Sequence, residues 1–418
     1  MADADFTELR TQEPERAGLK RVLSLPLVVL YGVGVTVGAG IYVLIGVTVS
    51  VAGTHAPVSF LLAAVVVALS AASFAELSCR YPLSAGEAAY VQAGFGSKRL
   101  ALLVGLLVIA SATVSSSAIS IGASGYIAEF VPLPEKVLVA AVVVMMAGVA
   151  AWGIMESVSF AALFTVVEVA GLMAIIVAGL YADPELVTRL GDVVPPLGDV
   201  APWIAVYGAG LLAFFAFVGF EDIVNLAEEV VEPKRTLPWA IFLTLVLSTL
   251  IYIGVVSVAV LSVPLDALAD AKAPLSFVFT EISGLPPAAI SAIAIVATLN
   301  GVVVQIVMAS RVLYGLAQQG NAPALLARVN ALTRTPLMAT GAVGVLILIL
   351  SLFFPLRNLA EATSLIVLVV FVFVNASLSL LKWRGTAPPE KAFTVPLAVP
   401  LLGCMSCLLM LIGGLLGV

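Results

Sequence analysis

Apolar runs of about the length of a membrane crossing recur along the whole chain, separated by short polar stretches. A helix rises 1.5 Å per residue, so roughly 20 apolar residues cross a hydrocarbon core about 30 Å thick. On that template the pattern predicts eleven spans: 22–51, 57–77, 99–130, 136–152, 157–181, 203–220, 238–261, 288–317, 336–354, 361–381 and 395–418. Residues 86–96 read as a re-entrant or interfacial turn before the third span. An external loop with a short helix is expected around 266–281.

Two of the runs break their own pattern. The sixth, WIAVYGAGLLAFFAFVGF, passes straight into Glu221 and Asp222 with no turn residue between. On insertion scales each carboxylate costs roughly 2.5–3.5 kcal/mol at mid-membrane. Gly219, between Phe217 and Phe220, offers a place to unwind, which is tolerated only where backbone lines a protein cavity. Beyond it Glu221, Asn225 and Glu228 recur at helical spacing, one polar stripe on a short half-helix. The plainer alternative is a span that ends at Phe220 and continues as an amphipathic cytosolic helix. The first run, LYGVGVTVGAGIYVLIG, carries five glycines. Each costs about 1 kcal/mol relative to alanine in a helix interior. Either this span packs closely on its neighbours through small faces, or it is broken around Gly38, Ala39 and Gly40. Two interrupted spans at corresponding places in two halves point to a transporter's binding site.

Here a resemblance enters. GAGIY in the first span and FAFVGFEDIVNLAEEVVEPKRTLPWAI in the sixth resemble the amino acid–polyamine–organocation family of secondary transporters. SFAELSCRYP after the second span and ASRVLYGLAQQGNAP closing the eighth extend the likeness to nearly the whole chain. The expected fold is an all-α integral membrane protein, a five-plus-five inverted-repeat (LeuT-type) bundle with broken first and sixth spans and an eleventh helix added. Amides of Gly38, Ala39, Gly40 and Ile41 at the start of a half-helix would favour a substrate carboxylate. Freed carbonyls near Thr36, Phe215 and Val218 would accept an ammonium group. The resemblance implies the same two sites, the second spread over Phe215, Phe217, Val218 and Gly219, with Phe215 as an aromatic cover over the substrate. It also implies a gating role for Glu221. The side-chain pocket would come from the third, eighth and tenth spans, with Asn300 its most conspicuous member. No acid lies mid-span there, which leans toward neutral substrates. The family usually has twelve spans, which leaves the twelfth position open to a small helical or subunit partner.

Composition agrees with the pattern. Hydrophobic residues make up 62% and charged residues 11% of the 418, against about a quarter charged in soluble domains. Placing the N-terminus in the cytosol leaves only four of the 19 basic residues, Lys136, Arg189, Lys272 and Arg357, outside, as the positive-inside rule requires. Five spans being an odd number, the two halves run in opposite directions. The chain then divides into a cytosolic segment 1–21, a first repeat 22–181, an external loop 182–202, a second repeat 203–383, and a loop with the eleventh span 384–418. There is no basic patch for nucleic acid, and no cleavable leader is expected, because no apolar run follows a short basic start.

Chemistry other than transport finds little footing. Cys404 and Cys407 sit in an apolar helix without a basic neighbour, and three thiols with one histidine, His55, make a poor zinc set. No nucleophile–base pair or phosphate loop is present, so no enzyme activity and no cofactor is expected. Thr113, Ser117, Ser120 and Ser124 share a face of the third span, suited to helix packing or to lining a pocket. Glu168 stands midway along the fifth span with uncharged flanks. In the family this region lies beside the first and eighth spans, where sodium-driven relatives bind their coupling ion. Glu168 is therefore the expected proton carrier, with Glu221 and Asp222 as alternatives. The reading is a plasma-membrane importer of amino acids coupled to protons by alternating access. An ion-independent exchanger and a binding-only sensor or complex subunit are the competing readings.

Overall fold

The computed structural model describes residues 21–82, 86–153 and 158–417, with side chains left undescribed at 158–161. All but the last residue of the expected N-terminal segment 1–21 lies outside that set. Helices α1 (Leu25–Ala52) and α2 (Ala56–Arg80) meet at one 3-10 turn, Gly53–His55. A short α3 (Gly86–Phe95) precedes α4 (Lys98–Ala128), α5 (Glu135–Trp152) and α6 (Val158–Ala182). The second half runs α7 (Val200–Phe215), α8 (Pro233–Ser262), the short α9 (Leu265–Asp270) and α10 (Pro274–Ser283), then α11 (Ala288–Gln318), α12 (Leu337–Phe353), α13 (Leu356–Trp383) and α14 (Ala398–Leu416).

Among the described residues nine segments are long and apolar enough to cross a membrane. The first, Leu25–Arg80, contains both α1 and α2, and Leu337–Phe353 is a further, shorter apolar helix. Splitting the first segment at its 3-10 turn and adding Leu337–Phe353 gives eleven apolar helices among the described residues. Local chemistry sets several ends. The Ser97 hydroxyl accepts from Leu100 N at the start of α4, and the Asp199 carboxylate accepts from Ala201 N at the start of α7. Gly153, in the left-handed region at φ 83°, stops α5.

The glycine-rich α1 occupies the centre, against α6, α7, α8 and α11. Its expected interruption is not there, because α1 is one helix from Leu25 to Ala52. The reason is close packing. A methyl carbon on Gly32 would meet Ile223 and Thr244 at 2.5 Å, and one on Gly40 would meet Ala216 Cα at 2.5 Å. Gly34 faces Thr165 and Gly38 faces Glu168. These glycines let four neighbours approach the helix, the alternative use of small residues in a membrane bundle.

At one end a charged node ties distant segments together. The fully buried Glu76 accepts from Arg80 at 2.8 Å, from Lys382 at 2.7 Å and from Val395 N at 2.7 Å. Arg80 also donates to the Thr386 carbonyl and Lys382 to that of Val395. Two cations and an amide satisfy the carboxylate, as a charge removed from water requires.

Candidate functional site

The sixth span breaks where its glycine predicts. α7 ends at Phe215, residues 216–219 form turns, and 220–226 wind as a 3-10 helix. Gly219 sits at φ 118°, a region a side chain rarely enters, and faces Val35 of α1. The Glu221 carboxylate accepts from Gly219 N at 2.8 Å, so the acid caps its own break. A second device spans the gap: the Tyr252 hydroxyl on α8 lies 2.7 Å from the carbonyl oxygens of both Thr36 and Ala216. One proton thereby links α1 to the turn after α7. The 3-10 winding replaces the expected α-helical stripe, so Glu221, Asn225 and Glu228 do not share a face; a 3-10 turn repeats every three residues.

A cavity opens beside the break, lined by Gly34, Val35, Ala39 and Gly40 of α1, Ser115 and Ile119 of α4, Phe215 and Val218, and Asn300, Gly301, Val304 and Gln305 of α11. Ala39, Gly40, Phe215, Val218 and Asn300 thus meet as the sequence expects. Thr36, Gly38, Ile41, Phe217 and Gly219 are not among the lining residues. Phe217 turns instead edge-on to Tyr252 with ring centroids 5.0 Å apart. The continuous α1 keeps the amides of Gly38–Ile41 inside a helix, so no half-helix terminus is presented there in this conformation. The Thr36 carbonyl is engaged by Tyr252, and that of Phe215 by Val218 N at 3.1 Å. Inside the helix the Thr36 carbonyl also takes its own i+4 amide, so both its lone pairs are used, whereas the Phe215 carbonyl has a second lone pair left for a ligand.

Glu168 is 1% exposed and lies where the resemblance puts it, between the first and eighth spans. A methyl carbon on Gly38 would stand 3.2 Å from Glu168 Oε2 and 3.9 Å from the Ala297 carbonyl oxygen of α11. The Tyr42 hydroxyl donates to the Glu168 backbone carbonyl at 2.9 Å. The polar face of α4 is mainly structural. Thr113, Ser117, Ser120 and Ser124 each donate to a carbonyl three or four residues back. Ser111 and Ser115, not on that stripe, reach the cavities.

A second cavity shares Ser115, Val218 and Gln305 with the first and brings Glu221 and Asp222 together with Glu87 of α3. Glu87 went unnoticed in the sequence because it lies outside every predicted span, 134 residues before Glu221. The one signal was an acid in the otherwise uncharged GEAAYVQAGF. Burial pushes its carboxyl up to about 7, since a low-dielectric surrounding disfavours the charged form.

Comparison with known proteins places this architecture. A profile of the amino acid permease family matches residues 23–416. The cationic amino acid transporter 3, mitochondrial, of Arabidopsis thaliana is 33% identical over 405 residues, covering 89% of this chain and 64% of that protein. The chain thus spans somewhat under two thirds of that relative. The branched-chain amino acid permease BcaP of Bacillus subtilis is 28% identical, with 94% of this chain and 88% of the permease covered. Among solved structures, a manganese transporter of Eremococcus coleocola, crystallised with an aromatic bis-isothiourea compound, superposes with a TM-score of 0.62 at 13% identity. That match covers 93% of this chain and 86% of the other, a likeness of fold. With a profile spanning both halves and the broken sixth span in place, the chain belongs to the amino acid permease family, within the amino acid–polyamine–organocation transporters its motifs resemble.

Proposed function

We propose that the protein carries amino acids across the plasma membrane by alternating access, its N-terminus cytosolic, with uptake coupled to protons. The observation that carries this reading is the cavity at the Phe215–Gly219 break, bounded by glycine-rich α1 and by α11. Unwound backbone in an apolar bundle is tolerated where it lines a protein cavity, and interrupted spans are where transporters bind substrate. In this conformation the cavity has about 30 Å³ for the centres of water-sized groups, where one water needs about 10–15 Å³. A whole amino acid therefore enters only after the bundle opens. The printed names of the relatives, cationic and branched-chain amino acid carriers, support amino acids as the cargo.

Glu168 is the proposed proton carrier, supported by its burial and its position against Gly38 and Ala297. Glu168→Gln keeps shape but cannot titrate. In proteoliposomes of the pure protein, the variant is expected to exchange internal for external amino acid yet lose accumulation on an inward proton gradient. Accumulation equal to wild type rules Glu168 out. Wild-type uptake that needs internal amino acid identifies an exchanger, and binding without uptake identifies a sensor.

A further inference from the structure

We propose that the cavity bounded by Glu87, Glu221, Asp222 and Gln305 receives the ammonium end of a substrate whose amino-acid head lies in the neighbouring cavity. Diamino acids are then favoured over neutral ones of equal length. The inference rests on the amino-acid reading above and names the class of side chain. Three observations carry it.

The first is a set of buried acids without a cationic partner. Glu87 is 7% exposed and Asp222 5%, and both line the cavity with Glu221. Among the described residues none of the three forms an ion pair. Carboxylates drawn from water into one place are stabilised by a cation among them.

The second is an orphaned acceptor. Gln305 on α11, also 7% exposed, has a buried Oε1 with no donor. It lines both cavities, as do Ser115 and Val218, so the acidic chamber adjoins the amino-acid chamber. A wall of three carboxylates and an unsatisfied amide oxygen calls for a group with several N–H donors, and an ammonium has three.

The third is size and geometry. The chamber has about 20 Å³ for the centre of a water-sized group, enough for about one such group. No group of three or more His, Cys, Asp or Glu among the described residues is arranged to hold a metal ion. An ammonium needs no such coordination sphere. The expected preference for neutral substrates rested on the third, eighth and tenth spans, and Glu87 lies on none of them.

The test compares lysine with norleucine, which has a side chain of similar length ending in methyl, on the full chain in lipid nanodiscs. Lysine is expected to bind at least about tenfold tighter, a modest return for charge-assisted hydrogen bonds. The double variant Glu87→Gln with Asp222→Asn should erase the difference. Should that variant fail to fold, Gln305→Met removes the orphaned acceptor alone and should narrow the ratio. Lysine bound no better than norleucine overturns the inference and leaves the amino-acid reading standing. Neither ligand bound overturns both. Methylammonium competing as strongly as lysine overturns the shared-substrate arrangement, because the ligand is then a free amine.

Discussion

The first and sixth spans hold the same kind of residues and do opposite things with them. α1 has Gly32, Gly34, Gly38 and Gly40 at alternating faces and stays helical throughout. The sixth has Gly208 and Gly210 inside a regular helix and unwinds over 216–219, closing on Gly219. What separates them is the local chemistry. Gly219 adopts φ 118° and is followed by a carboxylate that accepts its amide hydrogen. The glycines of α1 adopt helical angles, and the space a side chain would fill is taken by Ile223, Thr165, Glu168 and Ala216. Glycine in a membrane helix thus marks either a backbone that must turn or a neighbour that must approach. A nearby polar group that can cap the freed amides tells the two apart.

That contrast is open to direct attack. Gly219→Ala should be the most damaging change, combining left-handed strain with a contact 2.8 Å from Val35 Cγ1. It should lower stability by about 2–5 kcal/mol and abolish substrate binding, read as a fall in Tm and a lost binding signal. Gly40→Ala introduces no strain in φ but presses on the Ala216 backbone, and about 1–3 kcal/mol is expected for such overpacking. If it proves harmless, the glycine-packing account of α1 fails. Tyr252→Phe removes the hydroxyl that joins the two spans and should cost about 0.5–1.5 kcal/mol in Tm measurements. Cysteine accessibility around residue 216 should rise at the same time, and an unchanged pattern would separate Tyr252 from the break. Gly148→Ala on α5, where no atom lies within 4 Å of the new carbon, should stabilise by up to about 1 kcal/mol. It sets the baseline for a helical glycine with neither task.

The number of spans was legible because apolar length is a property of each run taken alone. The break after Phe215 was legible because Gly219, Glu221 and Asp222 are neighbours in sequence and their conflict with a lipid setting is local. The state of α1 was not, since the partners that crowd its glycines come from 131 to 212 residues further along, at Thr165, Ala216 and Thr244. Pocket membership was half legible for the same reason. Phe215 and Phe217 look alike in the sequence, and a two-residue offset sends one ring to the cavity and the other to Tyr252. Asn300 was legible as an amide in an apolar span. Gln305 carries the same signal one turn later, and only the shared lining of two cavities gives it a role.

The Glu76 node bears on how this molecule can be divided into moving pieces. It wires the end of α2 to the end of α13 and to the irregular stretch leading into α14, through Arg80, Lys382, Thr386 and Val395. Severing it strands two guanidinium or ammonium charges beside a bare carboxylate, a far larger penalty than sliding apolar helix faces past one another. A hinge line is drawn where rupture is cheap. Any rocking of one part of the bundle against another therefore leaves α2, this end of α13 and the start of α14 in one rigid block, and the helix outside the ten-span core travels as ballast on the same lever.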